Sequence, residues 1–382
     1  MRIVLTHPYC WPYARRGNER FIAELGRYLV SREHEVVTVA TKPGRGVVED
    51  HQPEGRRILH RQVRIPGMSR LRLQPYHPFL LGVLGSLMRI RADCVHSFHY
   101  IDGFAANLAR TWAPHRTILQ INWPPEPRYY PRIPPDRWLL RRAVLGADAR
   151  GTISQFCRSI IQTHYGTDAT VIPVPVDLDQ FAYSPHTKRA DRPILLSAAS
   201  FDNPSKGVRA MIKAFARLKR EVPDARLRLS GQMSPQVAAE VLGPLPELVR
   251  RDIEVLGVGK LEDLPGLYRE ANLLVLPSMW EAFGMVVVEA WACGTPVCVT
   301  RHGGLVEFLD DRSVAVSFDP QTGPTQTQTA NVEGLAEAMR AGLSLSMEDE
   351  TPPRCRARAE QYSWERLGAA YEKLYVPEGN GA

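Results

Sequence analysis

The stretch Leu276-Pro277-Ser278-Met279-Trp280-Glu281-Ala282-Phe283-Gly284-Met285-Val286-Val287-Val288-Glu289-Ala290 decides how this chain reads. An apolar run ends at Leu276, Pro277 breaks it, and a second apolar run opens after Gly284. That pattern predicts a strand, a loop, and a helix beginning close to Gly284. Backbone N–H groups at a helix start lack internal partners and sit at the positive end of the dipole. The amides of Phe283, Gly284 and Met285 are therefore candidates to hold a phosphate or a sugar hydroxyl. Gly284 lets a ligand approach the backbone closely. Glu289 falls about one turn into the helix, expected on the same crevice, where a carboxylate suits a vicinal diol such as ribose. Glu281, on the loop, can accept hydrogen bonds from hydroxyls of a second ring. Spacing alone leaves a plainer reading open, because acids near a helix start are favoured there whatever they bind.

Outward from this stretch, short apolar runs alternate with helical periods along almost the whole chain. Residues 3–6, 36–40, 94–97 and 117–121 read as strands in the first half; 194–198, 226–230, 253–256, 273–276 and 296–300 do so in the second. Helical spacing appears in 18–31 (Phe21, Ile22, Leu25, Tyr28, Leu29), 208–221 and 264–271. This is the signature of an α/β fold with two Rossmann-like units in tandem. Pro173 and Pro175 punctuate the join, which sets expected domains at 1–175 and 176–359. Tyr362, Trp364, Leu367, Ala370, Tyr371 and Leu374 predict one amphipathic helix over 360–376, packing back on the first domain. The Thr/Gln-rich stretch 321–331 has no core pattern and is assigned no function. In such folds a ligand is expected at the carboxyl ends of the strands. No G-x-G-x-x-G follows a strand, and there is neither a P-loop nor a G-x-S-x-G elbow.

With 382 residues, 44% hydrophobic and 23% charged, the composition excludes collagen-like, disordered and coiled-coil chains. No apolar run approaches the roughly 20 residues of a membrane span. The first residues, Met1 to Thr6, read as a buried strand rather than a secretory signal. Six cysteines without a C-x-x-C pair suit small core residues in a reducing compartment, so the expected location is cytoplasmic. Charge divides unevenly: 27 Lys and Arg against 15 Asp and Glu over residues 1–190, and 21 against 26 over 191–382. Arg56, Arg57, His60, Arg61, Arg64, Arg70 and Arg72 precede the apolar run Pro78 to Leu84. They read either as a solvated loop or as a contact for an anionic membrane surface, peripherally at its inner face, or for an acidic acceptor. No nucleic-acid motif accompanies them.

The pattern E-x-F-G-x-x-x-x-E at Glu281 to Glu289, within P-S-x-x-E-A-F-G-M-V-V-V-E-A-W-A-C-G-T-P-V, resembles the donor-site motif of the retaining glycosyltransferases of family 4. The likeness extends over nearly the full chain. Gly17 to Leu29 with His34-Glu35-Val36 resembles the family's first loop, helix and strand. Val171-Ile172-Pro173 with Val176-Asp177 and Phe181 resembles its linker; Gly257 and Leu264 to Ala271 the stretch before the donor strand, near the nucleobase; Tyr362-Ser363-Trp364-Glu365 the closing helix. The resemblance implies a GT-B fold, two Rossmann-like domains facing a central cleft. It implies a retaining, metal-independent, hexosyltransferase-type enzyme that needs no cofactor. The donor would be a UDP- or GDP-linked sugar, and the hydroxyl acceptor a lipid-linked sugar, a glycan or a natural product. The mechanism implied is front-side, through an oxocarbenium-like state, with the leaving phosphate oxygen helping to deprotonate the acceptor.

Carried over residue by residue, Glu281 binds hydroxyls of the transferred sugar, Glu289 the ribose, and the amides of Phe283, Gly284 and Met285 the donor sugar or phosphate. Lys206, in Ser205-Lys206-Gly207, matches the lysine that neutralises the departing diphosphate. Gly17 matches the first loop's glycine. The family's pattern is departed from at three places. Ser200 stands near an expected arginine, a loss that Arg209 or an arginine of the first domain would have to make good. Asn122 replaces a histidine of the first domain's donor-facing loop, and Asn18 replaces a second glycine beside Gly17. These departures motivate an alternative: a catalytically weak member that binds sugar nucleotide or glycan. Asp177-Leu178-Asp179 mimics a metal-binding D-x-D, but its place in the linker pattern argues against metal there. His96 reads as a core or loop histidine, and His99 equally as a loop or an acceptor-site residue.

Overall fold

A computed structural model describes residues 1–44, 46–63, 74–127, 134–185, 191–321 and 331–377. Arg64, Arg70, Arg72 and most of the Thr/Gln-rich stretch lie outside the described residues. The chain divides into two compact units, Met1–Pro175 with Leu367–Ala382, and Val176–Arg366.

In the first unit the elements run β1 (Arg2–Thr6), α1 (Gly17–Ser31), β2 (Glu35–Lys42), β3 (Val48–Gln52), β4 (Gly55–Arg61), α2 (Phe79–Leu87), β5 (Cys94–Ser97), α3 (Tyr100–Ala109), β6 (Arg116–Ile121), α4 (Pro134–Gly146), β7 (Ala149–Thr152), α5 (Gln155–Tyr165) and β8 (Thr170–Val171). They build a sheet of order β3-β4-β2-β1-β5-β6-β7-β8, parallel except where β3 meets β4. The central strands are buried on both faces, as parallel strands under helices must be, so they read as continuous apolar runs. Strand β4 contradicts the loop reading of Arg56 to Arg61. It pairs in parallel with β2, buries Ile58 and Leu59, and sets Arg57 in a bidentate pair with Asp50 at 2.7 Å. Four charged or imidazole side chains, Arg56, Arg57, His60 and Arg61, flank the buried pair and hid the strand's alternation.

The second unit runs β9 (Ile194–Ala198), α6 (Val208–Leu218), β10 (Arg226–Ser230), α7 (Pro235–Leu242), α8 (Glu247–Arg250), β11 (Ile253–Gly257), α9 (Leu264–Glu270), β12 (Leu273–Leu276), α10 (Met285–Ala292), β13 (Val297–Thr300), β14 (Ala315–Phe318), α11 (Val332–Leu345) and α12 (Thr351–Glu360). Its parallel sheet has the order β11-β10-β9-β12-β13-β14. The six cysteines are buried and unbridged.

The helix expected over 360–376 is observed over Trp364–Tyr375, and a separate helix, α12, precedes it. After α12 the chain breaks at residues 361–363, and α13 (Trp364–Tyr375) follows. The break has a cause: the Val176 amide donates to the Tyr362 carbonyl at 2.8 Å, Ser363 bridges Val176, and the Ser363 hydroxyl accepts from the Arg366 amide. Helix α13 then packs on the first unit. Tyr371 donates to the Ile172 carbonyl at 3.1 Å and lies against Phe21; Arg116 donates to the Leu374 carbonyl at 2.9 Å.

Both sheets reverse direction once. From β1 the chain steps to β2 on one side, while β5 to β8 extend on the other; from β9 it steps to β10 and β11, while β12 to β14 extend opposite. The crevices at the carboxyl ends of β1/β5 and of β9/β12 are the switch points where such sheets bind ligands.

Candidate active site

At the β9/β12 switch point, the loop after β9 carries Ser200 and Lys206 and the loop after β12 carries Glu281. Asn203 accepts from the Ser205 amide and starts a short 3-10 turn, Pro204–Lys206. Gly207 then adopts φ 70°, and a Cβ there would lie 2.2 Å from the Pro277 carbonyl oxygen. Only glycine lets the two loops approach this closely. The Met279 amide donates to the Ser205 carbonyl at 2.7 Å and locks them together. On this frame the Lys206 ammonium reaches Glu281 Oε2 at 2.7 Å, with 21% and 16% of the two side chains exposed. A half-buried, charge-assisted contact of this kind fixes both groups while leaving each reachable from solvent.

Helix α10 starts where expected. Gly284 caps it at φ 98°, a left-handed conformation, and the Phe283 and Met285 amides flank it. Glu289 is placed more deeply than its spacing suggested: it is 3% exposed, and Oε2 accepts from the Tyr268 hydroxyl of α9 at 2.7 Å. Ser200 is exposed at the end of β9. Arg209, the candidate stand-in for the family arginine, forms a bidentate pair with Glu240 at 2.6 Å on both oxygens. Asp177 turns its carboxylate to the backbone amides of Asp179 and Gln180, the role of a turn cap. Among the described residues no three His, Cys, Asp or Glu converge as a metal set.

At the β1/β5 switch point the two departures from the family pattern meet. Asn122, just past β6, donates through Nδ2 to Asn18 Oδ1 at 2.6 Å, and Gln120 Nε2 donates to Asn122 Oδ1 at 3.0 Å. Asn18 Nδ2 in turn lies 3.0 Å from His7 Nε2, and His7 Nδ1 lies 3.0 Å from the Tyr9 carbonyl. A neutral His7 protonated on Nδ1 satisfies both neighbours, and burial lowers its pKa in the same sense. Gly17, exposed, opens α1 beside this chain. His99 caps α3 by accepting from the Ile101 amide and stacks on Tyr100 at 4.4 Å, with Tyr76 4.7 Å away. Burial first, then His7 and His77, holds its pKa well below the usual imidazole value. His96 is fully buried on β5, 2.9 Å from the Tyr375 hydroxyl, and burial depresses its pKa to about 3. It is a core histidine.

The structure thus brings Lys206 and Glu281 together, sets Gly284 and its neighbours at a helix start, and keeps Glu289 behind Tyr268. The sequence reading missed His7 and the hydrogen bond of Tyr268 to Glu289. A histidine directly after the first strand was the available signal for the former; nothing in the spacing of Tyr268 and Glu289, on two different helices, announced the latter.

Comparison with known proteins agrees with this geometry. The model "Glycosyltransferase Family 4" matches residues 15–180, and "Glycosyl transferases group 1" matches residues 180–362. D-inositol 3-phosphate glycosyltransferase of Paenarthrobacter aurescens is 24% identical over 89% of this chain and 82% of its own. GDP-mannose-dependent alpha-(1-6)-phosphatidylinositol monomannoside mannosyltransferase of Mycolicibacterium smegmatis is 29% identical over 55% of this chain and 58% of its own. Among solved structures, sucrose-phosphate synthase of Thermosynechococcus elongatus superposes with a TM-score of 0.79 at 21% identity, over 98% of both chains. Two Rossmann-like sheets with a lysine and a glutamate at the second switch point, matched end to end by two models of one family, make this chain a GT-B glycosyltransferase of family 4, which transfers a sugar from a nucleotide-sugar donor.

Proposed function

We propose that the β9/β12 switch point binds a UDP- or GDP-linked sugar and retains anomeric configuration while moving it to a hydroxyl acceptor. The observation that carries the assignment is the 2.7 Å contact of Lys206 with Glu281 on two loops locked through Gly207. Lys206 meets the diphosphate as a point charge; Glu281, released from it, accepts hydrogen bonds from hydroxyls of the transferred sugar. As the sugar–phosphate bond breaks, its electron pair stays on the phosphate oxygen, where Lys206 stabilises the growing charge. The acceptor oxygen bonds to the anomeric carbon from the same face, and its proton passes to that phosphate oxygen. The Phe283, Gly284 and Met285 amides hold the donor, and Glu289, buttressed by Tyr268, takes the ribose diol. Ser200 sits on the donor's phosphate side of this switch point, and Gly17 is assigned to the donor by its match to the family's first loop. The acceptor is a lipid-linked sugar, glycan or natural product held mainly by the first unit. The test is release of UDP or GDP from a panel of nucleotide sugars, GDP-mannose among them, by the wild type and Lys206→Ala. Release that Lys206→Ala reduces about a hundredfold supports the assignment; release unchanged by it refutes the role of Lys206.

Arg209's commitment to Glu240 and the serine at position 200 favour a second reading, a catalytically weak member that holds a sugar nucleotide without turning it over. Calorimetric binding of a nucleotide sugar with no product over long incubation would select it.

A further inference from the structure

The first unit carries a surface that sugar transfer does not use. Helices α2, α3 and α4 each precede a strand lying further along the same direction of the sheet, so right-handed crossovers put all three on one face, with α3 packed between the others. Their solvent sides carry large apolar side chains. On α2, Leu81 is 72% exposed and Met88, two turns on, is also exposed. Phe104 of α3 is half-buried against Trp138 of α4, ring centroids 5.6 Å apart, and Trp138 itself is 52% exposed. Leu145, two turns beyond Trp138, and Trp112, just past α3, are exposed as well. A soluble surface scatters such side chains singly; five on or just past the ends of three adjacent helices form a patch that marks an interaction site.

The charge around the patch is mostly positive. Arg89 and Arg91 stand exposed beyond the end of α2, and Arg141 and Arg142 on the outer side of α4, where the Arg142 guanidinium sits 5.4 Å over the Trp138 ring. Residues 79–91 contain no acid, and the one acid of α4, Asp136, is buried against His77 at 2.7 Å. Tryptophan and leucine edged by arginine, with the nearby exposed carboxylates already committed, Asp93 to the Arg2 amide and Asp148 to Arg110, suit the interface of an anionic bilayer. They suit an ordinary protein partner less well, since an interface core is depleted of charge but its rim carries both signs.

We propose that this α2–α3–α4 face is a membrane-docking surface that lays the first unit on an anionic lipid leaflet, with Leu81, Met88 and Trp138 entering the headgroup layer. The arginines Arg56 and Arg57, which the sequence offered for this task, are instead paired with Glu49 and Asp50 within the β3–β4 hairpin. The inference is independent of the donor-site reading, because none of these residues belongs to that site. Among the described residues no helix is long and apolar enough to cross a membrane, so the attachment is peripheral.

Co-sedimentation with phosphatidylcholine vesicles, with and without phosphatidylglycerol, tests it. The wild type should pellet with the anionic vesicles at low salt and be released as salt rises. Arg141→Glu and Arg142→Glu should each weaken binding at least about fivefold, and Leu81→Glu with Trp138→Ser should abolish it. Nucleotide release toward a water-soluble acceptor, measured without vesicles, should be unchanged in all three variants, which also shows that they fold. Wild-type protein that stays in the supernatant at low salt overturns the proposal. So does a dimer in sedimentation velocity that Leu81→Glu dissolves, because the face would then belong to a second copy of the chain.

Discussion

The two switch points share a topology and differ in what they place there. The mouth of the second unit holds a half-buried ion pair, Lys206 with Glu281, on loops pinned by backbone contacts. The mouth of the first holds a chain of neutral groups, Gln120, Asn122, Asn18 and His7, with His99 kept uncharged by burial. The contrast is one of task. Under the proposed reading, a departing diphosphate gathers negative charge and rewards a fixed cation at the second mouth, whereas neutral donors and acceptors at the first orient a bound hydroxyl without competing for that charge. The same fold therefore runs two electrostatic regimes by changing the residues after its first and central strands.

Breaking the charged mouth should have the largest effect. Lys206→Ala is expected to lower turnover by about two to three orders of magnitude, with donor affinity falling much less, in steady-state and binding measurements compared side by side. Glu281→Ala should likewise reduce turnover more than binding, since the transferred sugar changes between ground and transition state. Breaking the neutral mouth should cost less and fall on a different parameter. Asn122→Leu or Asn18→Ala strands its partners and should raise KM about fivefold to tenfold while turnover changes less, read in steady-state kinetics. The pair Asn18→Gly with Asn122→His reinstates the family pattern at both positions. Its double-mutant cycle should show the coupling expected of direct contact, and additive losses would deny it.

Next comes the buttress behind the donor. Glu289→Ala should raise the donor dissociation constant about tenfold with little change in turnover, and Tyr268→Phe about fivefold. The smallest effect is on stability. Asp102, fully buried at the start of α3, accepts from the Thr6 hydroxyl and the Phe98 amide, and burial raises its pKa to about 8. The folded protein therefore binds a proton that the unfolded chain releases above its own carboxyl pKa. The contribution of Asp102 to stability should be fully present below about pH 4, decline as pH rises toward about 8, and level off above. Asp102→Asn should flatten that slope in thermal melts across pH; an unchanged slope would assign it to other groups.

How much of this was legible in advance differs by element. The strands of the second unit and the start of α10 were readable because apolar runs, a proline and a glycine stand in series within a few residues. Strand β4 was not, because Arg57 lies in the sheet with its charge answered by Asp50, a pairing visible only once β3 folds back. Lys206 and Glu281 were each readable as candidates, but their contact spans 75 positions. Asn18 and Asn122 were seen as separate departures. Their hydrogen bond, across 104 positions, depends on β1 and β6 lying in one sheet, which no spacing rule encodes.

The return of α13 to the first unit carries a consequence for how the protein is made. The second unit is a single continuous segment, Val176–Arg366, while the first draws on both Met1–Pro175 and the residues from Leu367 onward. On the ribosome, then, the half that starts first cannot finish first. Until α13 emerges, His96 lacks Tyr375, Arg116 lacks the Leu374 carbonyl and Phe21 lacks Tyr371, leaving polar and aromatic groups of an otherwise assembled sheet uncovered. Synthesis thus delays the first unit until the other has had time to fold, and a nascent chain stalled before Leu367 would hold a complete second unit and an unsealed first.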